Sequence, residues 1–237
     1  MTIPVTTTTG LESLTRQYRT ATENLANAAT PGFKRRLTTF HADDAAQQRG
    51  AVSGETAVDF TQGRLVRTGR ALDMAIQGDG FFVVETPEAP GGRLFTRNGV
   101  FRANQRRQLV DGAGRLVAGT GGPIVLPDSV ATSQIAVSRD GQVTAGGQAI
   151  GQLRLVRFED RSVLTAAGAA CFTAPEAVRA EPAPDATVHG GFQESSNVST
   201  VRELTDLIRV TRLYEANMKT ISKEDERMGQ ILQVAMA

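Results

Sequence analysis

Near the N-terminus, apolar residues recur at alternating steps of three and four: Leu11, Leu14, Tyr18, Ala21, Leu25 and Ala28. That spacing predicts an amphipathic helix from Leu11 to about Asn27 with one narrow stripe, the kind that lies along a second helix. The Thr6–Thr9 run and Gly10 precede it and offer a threonine N-cap. Pro31-Gly32 ends it, because proline lacks an amide donor and turns the preceding residue away from helix. A longer pattern fills the other end. From about Thr200 to Ala235 there is no proline and one glycine, Gly229. Leu207, Tyr214, Ile221 and Met228 fall seven apart, Val210 and Ile231 sit three positions after members of that series, and Leu204, Ile208, Met218 and Leu232 widen the stripe. Arg202, Glu203, Asp206, Arg209, Arg212, Lys219, Lys223 and Glu226 are assigned to the other faces, giving an amphipathic helix roughly 50 Å long.

Between the two helices the period shortens. Ala75-Ile76, then Gly78-Asp79-Gly80, then Phe81-Phe82-Val83-Val84 reads as strand, turn, strand. Arg93–Thr96, Gly99–Ala103, Gln108–Val110, Arg115–Val117, Ile135–Val137 and Gln152–Phe158 are further strand candidates. Arg97-Asn98-Gly99, Asp111-Gly112-Ala113-Gly114, Arg139-Asp140-Gly141 and Gly146-Gly147 punctuate them as turns. Turns this close argue for hairpins and meanders, not for βαβ units. The proline-bearing stretch Glu176–His189 reads as a loop or linker. The expectation is an α+β chain: a mainly β central domain of hairpins, flanked by N- and C-terminal helices that pair as a coiled-coil-like stalk. Its segments are 1–36 (N-terminal helical), 37–72 (extended linker or β), 73–190 (β-rich) and 191–237 (C-terminal helix).

Composition narrows the function classes. The 237 residues carry 26 Lys+Arg against 25 Asp+Glu, a net charge of +1, so binding to nucleic acid through bulk charge is not expected. A single cysteine, Cys171, allows no intrachain disulfide, and with only His41 and His189 beside it no four-ligand Cys/His zinc site can form. No apolar run is long enough to span a membrane, and MTIPVTTTTG lacks the basic and apolar regions of a cleavable signal.

Candidate chemistry is thin. Gly112, Gly114 and Gly119 do not fit a dinucleotide fingerprint, because the third glycine is misplaced and no strand leads through them into a helix. Asp79 between two glycines reads as a turn residue. His41 and His189 read as surface residues, and Glu85 with Glu88 as loop carboxylates. No nucleophile–base–orienter set assembles, so no enzyme activity and no cofactor or metal is expected. Lys34-Arg35-Arg36 reads either as charge complementing a helix C-terminus or as a contact for an acidic partner. Two terminal stripes that each need a cover point to assembly, within one chain or between copies.

The same residues resemble a known family, the bacterial flagellar rod and hook axial proteins. Asn24-Leu25-Ala26-Asn27-Ala28-Ala29-Thr30-Pro31-Gly32-Phe33-Lys34 is similar to its N-terminal signature. Leu72-Asp73-Met74-Ala75-Ile76-Gln77-Gly78-Asp79-Gly80-Phe81-Phe82 is similar to its second signature, and Thr96-Arg97-Asn98-Gly99-Val100-Phe101 to the hairpin that follows. Ser195-Ser196-Asn197-Val198, Glu203-Leu204 and Tyr214-Glu215-Ala216-Asn217-Met218-Lys219 resemble its C-terminal helix. The resemblance implies a structural subunit of the basal-body rod, exported through the flagellar type III apparatus without signal cleavage and polymerised helically into a periplasmic axle. The axle transmits torque from motor to hook. The implied partners are copies of itself, other rod and hook proteins and the export apparatus. The implied assembly residues are Leu11, Leu14, Tyr18, Leu25, Leu204, Leu207, Val210, Tyr214, Ile221, Met228 and Ile231. Length favours a rod over a hook subunit, and the proximal over the distal rod. The alternatives are a hook-type subunit or a β-rich fibre or adhesin subunit; an enzyme of the peptidoglycan wall and an export chaperone are the rivals from other classes. Two departures stand out: a helix that starts only after the Thr-rich stretch, and a basic run, Arg102 to Arg107, where the family tends to carry Asp and Gly, which reads as a changed lateral contact.

Overall fold

The apolar run Phe81-Phe82-Val83-Val84 has no polar alternation because its strand is covered on both faces. In a computed structural model that describes residues 5–41, 53–86, 89–168 and 170–235, Phe82 and Val84 enter one core with Met74, Ile76, Phe101, Leu109, Val117 and Ile124. Phe81 and Val83 enter a second core with Phe95, Val156, Phe158 and Phe172. Successive side chains of a strand point to opposite faces, so a central strand must be apolar at every position. Aromatic edges fill both cores. Phe82 and Phe101 meet at 5.1 Å and 83°, and Phe95 and Phe158 at 4.8 Å and 84°.

The chain is mainly β with one helix at each end, an α+β fold, and it divides into two compact units. One unit takes Asn27–Arg35 and Val58–Asn197. Its principal sheet runs in the order Thr165–Ala166, Cys171–Thr173, Arg93–Thr96, Phe81–Glu85, Leu116–Gly119, Leu109–Val110, Arg102–Ala103. The strand Leu155–Arg157 also pairs with Phe81–Glu85. A three-stranded meander follows, Ile135–Val137, Gln142–Ala145 and Gln148–Gln152, turned at Gly141 and at Gly146-Gly147 as the sequence predicts. The hairpin at Asp111–Gly114 also forms, with Val110 opposite Leu116 and the Asp111 carboxylate accepting from the amides of Ala113 and Arg115.

Other pairings differ from the expected hairpins. Met74–Gln77 does not pair with Phe81–Glu85; it pairs with Thr187–Gly190, so Gly78-Asp79-Gly80 hands the chain from one sheet to another. The stretch expected as a linker up to His189 therefore holds a strand, and His189 is half-buried with Nε2 2.8 Å from Gln77 Oε1. Nor do residues on either side of Arg97-Asn98-Gly99 form a hairpin: Arg93–Thr96 pairs with Phe81–Glu85 and Cys171–Thr173. Two arginines of the basic run bond to carbonyls of this chain. Arg107 (φ 59°) donates from Nη2 to the carbonyls of Pro127 and Val130, and Arg102 donates to Gly112.

The other unit takes Met1–Ala26, Arg36–Ala57 and Val198–Ala237. It holds the helices α1 (Val5–Ala26) and α2 (Thr200–Ala235) and the strand pair Arg36–His41 with Ser53–Val58. The expected late start does not occur, because α1 begins at Val5 and runs through Thr6–Thr9 and Gly10. Threonine costs only a few tenths of a kcal/mol in a helix and one glycine about 1 kcal/mol, so neither stops a helix held by later turns. The side chains of Thr6–Thr9, His41 and Leu232, and the residue Glu88, lie outside the described residues.

Candidate functional site

Within the helical unit α1 packs on α2. Asn24 meets Glu203, and partly shielded residues continue along α2 to Ile221, so the helices run antiparallel. Leu14, Ala21 and Val210 are buried; Leu11, Leu25, Leu207 and Ile221 are half-buried. The remaining seam candidates face solvent in the single chain: Tyr18 is 47% exposed, Leu204 42%, Tyr214 42%, Met228 59% and Ile231 52%. Tyr18 is displaced because the covered side of α1 is rotated off the apolar stripe toward Thr20 and Asn24. Both polar groups are satisfied there: Thr20 by Thr38, and Asn24 by the Arg36 backbone and Glu203. Glu203, assigned from sequence to a solvated face, is 2% exposed. Met228 and Ile231 lie about two turns or more beyond the level α1 reaches. Of the signature residues on α2, Glu215 is exposed, and Asn217 is half-buried and donates to the Leu213 carbonyl.

In the β unit four signature residues, Gly32, Gly78, Phe81 and Asn197, lie against one buried ion cluster. Lys34 Nζ lies 2.6 Å from Glu194 Oε1, with both side chains wholly shielded, and donates at 2.6 Å to the Thr61 carbonyl. The Gly63 amide donates to the same carboxylate oxygen at 2.9 Å. Arg97 Nη1 lies 3.6 Å from Glu194 Oε2, Arg97 Nη2 donates to the Gly78 carbonyl at 2.7 Å, and the guanidinium sits over the Phe81 ring at 5.3 Å. Burial pushes the Lys34 ammonium below the ordinary lysine range, with Glu194 pulling it part of the way back. Burial also lowers the Arg97 guanidinium.

Backbone contacts close the cluster. Gly32 (φ 69°) donates to the Glu194 carbonyl, and a Cβ on Gly32 would overlap the Asn98 backbone, so only glycine fits. A Cβ on Gly63 would likewise overlap the Ser195 carbonyl. The Asn197 side chain accepts from the Arg35 amide and donates to the carbonyls of Asp59 and Thr61. Phe33 is buried beside the turn. Asp79 is a turn residue, paired with Arg161 at 2.9 Å.

The basic cluster Lys34-Arg35-Arg36 is thus not one surface patch. Lys34 is a core charge, and Arg36 pairs with Glu23 at 2.5 Å. Sequence reasoning missed Thr61, Gly63 and Glu194 altogether; the only signal for Glu194 is its place just before Ser195-Ser196-Asn197. Cys171 is buried, with its thiol pushed up by desolvation. No group of three His, Cys, Asp or Glu side chains among the described residues could hold a metal ion. What the arrangement can do is fasten: four distant segments are locked by charge, and one helical pair presents an uncovered apolar face.

Residues 75–145 match the family model described as the flagellar hook protein FlgE/F/G D1 domain. Residues 189–234 match the one described as the flagellar basal body rod FlgEFG protein C-terminal. The chain is 34% identical to the flagellar basal-body rod protein FlgF of Caulobacter vibrioides over 235 residues, covering 92% of this chain and 94% of that one. It is 34% identical to FlgF of Salmonella typhimurium over 241 residues, covering 94% and 93%. It is 30% identical to the flagellar basal-body rod protein FlgG of Buchnera aphidicola subsp. Schizaphis graminum over 262 residues, covering 95% and 96%.

Proposed function

The chain belongs to the flagellar basal-body rod protein family and is a structural subunit of the bacterial flagellum, and from that premise we propose that its helical pair is the polymerising element. One observation carries this reading. Among the described residues every large exposed hydrophobic except Val125 lies on α1 or α2. Val201, Leu204, Ile208, Tyr214 and Met218 form a face beside the one that holds α1. Burying a large apolar side chain yields about 1.5–3 kcal/mol. These five are on average about half shielded already, so covering them yields on the order of 5 kcal/mol, at the low end of the roughly 4–15 kcal/mol cost of fixing one subunit against another. Several neighbours are needed for a net gain, which suits a helical polymer better than a dimer.

Copies of this chain and other rod and hook proteins cover that face in an axle that crosses the periplasm and passes torque from motor to hook. Its length suits the proximal segment. The subunit reaches the growing tip through the flagellar type III export apparatus, with no signal removed. No helix among the described residues is long and apolar enough to cross a membrane. Electron microscopy of basal bodies from a strain lacking this chain tests the reading: an axle that stops within the periplasm is expected, and complete basal bodies would overturn it.

A further inference from the structure

In the β unit the Met74 amide donates to the Gly99 carbonyl, and Asp73 bridges Val100, so two segments run side by side. Beyond that bridge they part. Gly69 turns at φ 74° and its amide donates to the Gly191 carbonyl, while Phe101 leads into the strand Arg102–Ala103, which pairs with Leu109–Val110. The gap between them is a cleft of about 570 Å³, a common size for a ligand site. Thr132 and Ser133 form a third wall, and the neighbouring Gln134 carbonyl accepts from the Gly146 amide. Each wall is bonded to structure behind it, so the cleft is preformed.

Its edge, charge and floor define an occupant. Arg102–Ala103 is the last strand of the principal sheet. Ala103 stands opposite Leu109, and the next residue, Asn104, donates to the Gln108 carbonyl. Antiparallel ladder bonds fall on alternate residues, so the Ala103 amide and carbonyl face away from Leu109, on the open side. Such an edge accepts an added extended chain. Among the described residues no carboxylate lines the cleft, whereas the exposed Arg70 and Arg102 both do. Asp73, buried, holds Arg70 at 3.0 Å and leaves its side chain 61% exposed. Arg102 donates to the Gly112 carbonyl from one nitrogen, Nη2. Counting Asp73, one net positive charge remains. Leu72 and Phe101 supply an apolar floor. Arginine on an edge repels the same edge of a second copy and favours a strand of opposite charge.

We propose that this cleft is a docking groove for an extended acidic segment of another polypeptide, which adds a strand beside Ala103 and sets a carboxylate against Arg102. This contact is separate from the helical face and rests only on the chain being an assembling subunit.

The test is amide NMR on the full ¹⁵N-labelled chain, titrated with the blocked peptide Val-Glu-Val-Glu-Val, with Val-Lys-Val-Lys-Val, and with acetate. The acidic peptide is expected to shift the Ala103 amide saturably and slow its exchange with water; the lysine peptide and acetate are expected to leave that amide unmoved. R102E should abolish the response. R102Q, which keeps a donor for Gly112, should weaken the acidic peptide about tenfold. The proposal is overturned by an unmoved Ala103 amide or by equal responses to the two peptides. It is overturned as well by an equal response to acetate, which would mean a simple anion site, or by unchanged binding in R102Q. Ala103 protection that appears without peptide and is lost on dilution would mean a second copy on this edge, and also overturns it. No helix residue enters the test, so its failure leaves α2 as the polymerising face, and failure of α2 leaves the cleft result standing.

Discussion

Lys34 and Glu194 stand 160 positions apart in sequence and 2.6 Å apart in space, with no solvent on either side chain. With Arg97 they form a trio of two positive charges and one negative. Charge arithmetic ranks the substitutions. E194Q leaves two buried cations and no anion, and should cost about 3–5 kcal/mol. K34M leaves Glu194 facing Arg97 and should cost less. K34M/E194M should fall near K34M, because it restores the original net charge at the site. Denaturant unfolding of the three variants checks this order, and an E194Q variant more stable than K34M would contradict it.

The same site sets a pH dependence. Burial holds Lys34 below its usual 10.5, so between the lowered value and 10.5 the unfolded chain keeps a proton that the folded chain has released. Stability from this group rises with pH across that window. The wild type should therefore gain on K34M as the pH climbs from neutrality toward about 10. Unfolding midpoints of both proteins along that series read the sign directly. Glu194 and Asp59 pull Lys34 back up and Arg97 pushes it further down, and all three effects are contained in its lowered value.

Beyond the reach of α1, the end of α2 has no cover in a single chain. Described side chains from Ser222 to Ile231 are all exposed. An isolated helical end is marginal in water, so trypsin should cut the purified subunit first after Lys223 or Arg227 and leave 58–197 intact. Assembly should then protect those sites. Mass spectrometry of early fragments decides: first cuts within the β unit would contradict the expectation.

Much of the architecture was legible because periodicity is local. The Leu207–Met228 heptad marks α2, and the Asp111–Gly114, Asp140-Gly141 and Gly146-Gly147 signals mark real turns. What spacing cannot give is partnership. Nothing in Met74–Gln77 announces that Thr187–Gly190 will be its neighbour and not Phe81–Glu85. Buried polar residues were equally hidden. Charge alone assigns Glu203 to a solvated face, and the neighbouring Arg35 and Arg36 assign Lys34 to a basic cluster outside the core; each is buried because a partner arrives from a distant segment. Tyr18 erred the other way, an apolar residue left outside when Asn24 took the covered side. The signature motifs marked most of these sites without stating their roles.

The central claim is that the uncovered face of α2 drives assembly, and a paired substitution there tests it most directly. L204D/I208D changes two exposed side chains, 42% and 55% accessible, on the face beside the one that holds α1. The variant should fold with near-normal stability and still fail to build the axle. In a strain that carries it as the sole copy, electron microscopy should show rods that end within the periplasm and cells that do not swim. Complete basal bodies and normal swimming with L204D/I208D would contradict the account.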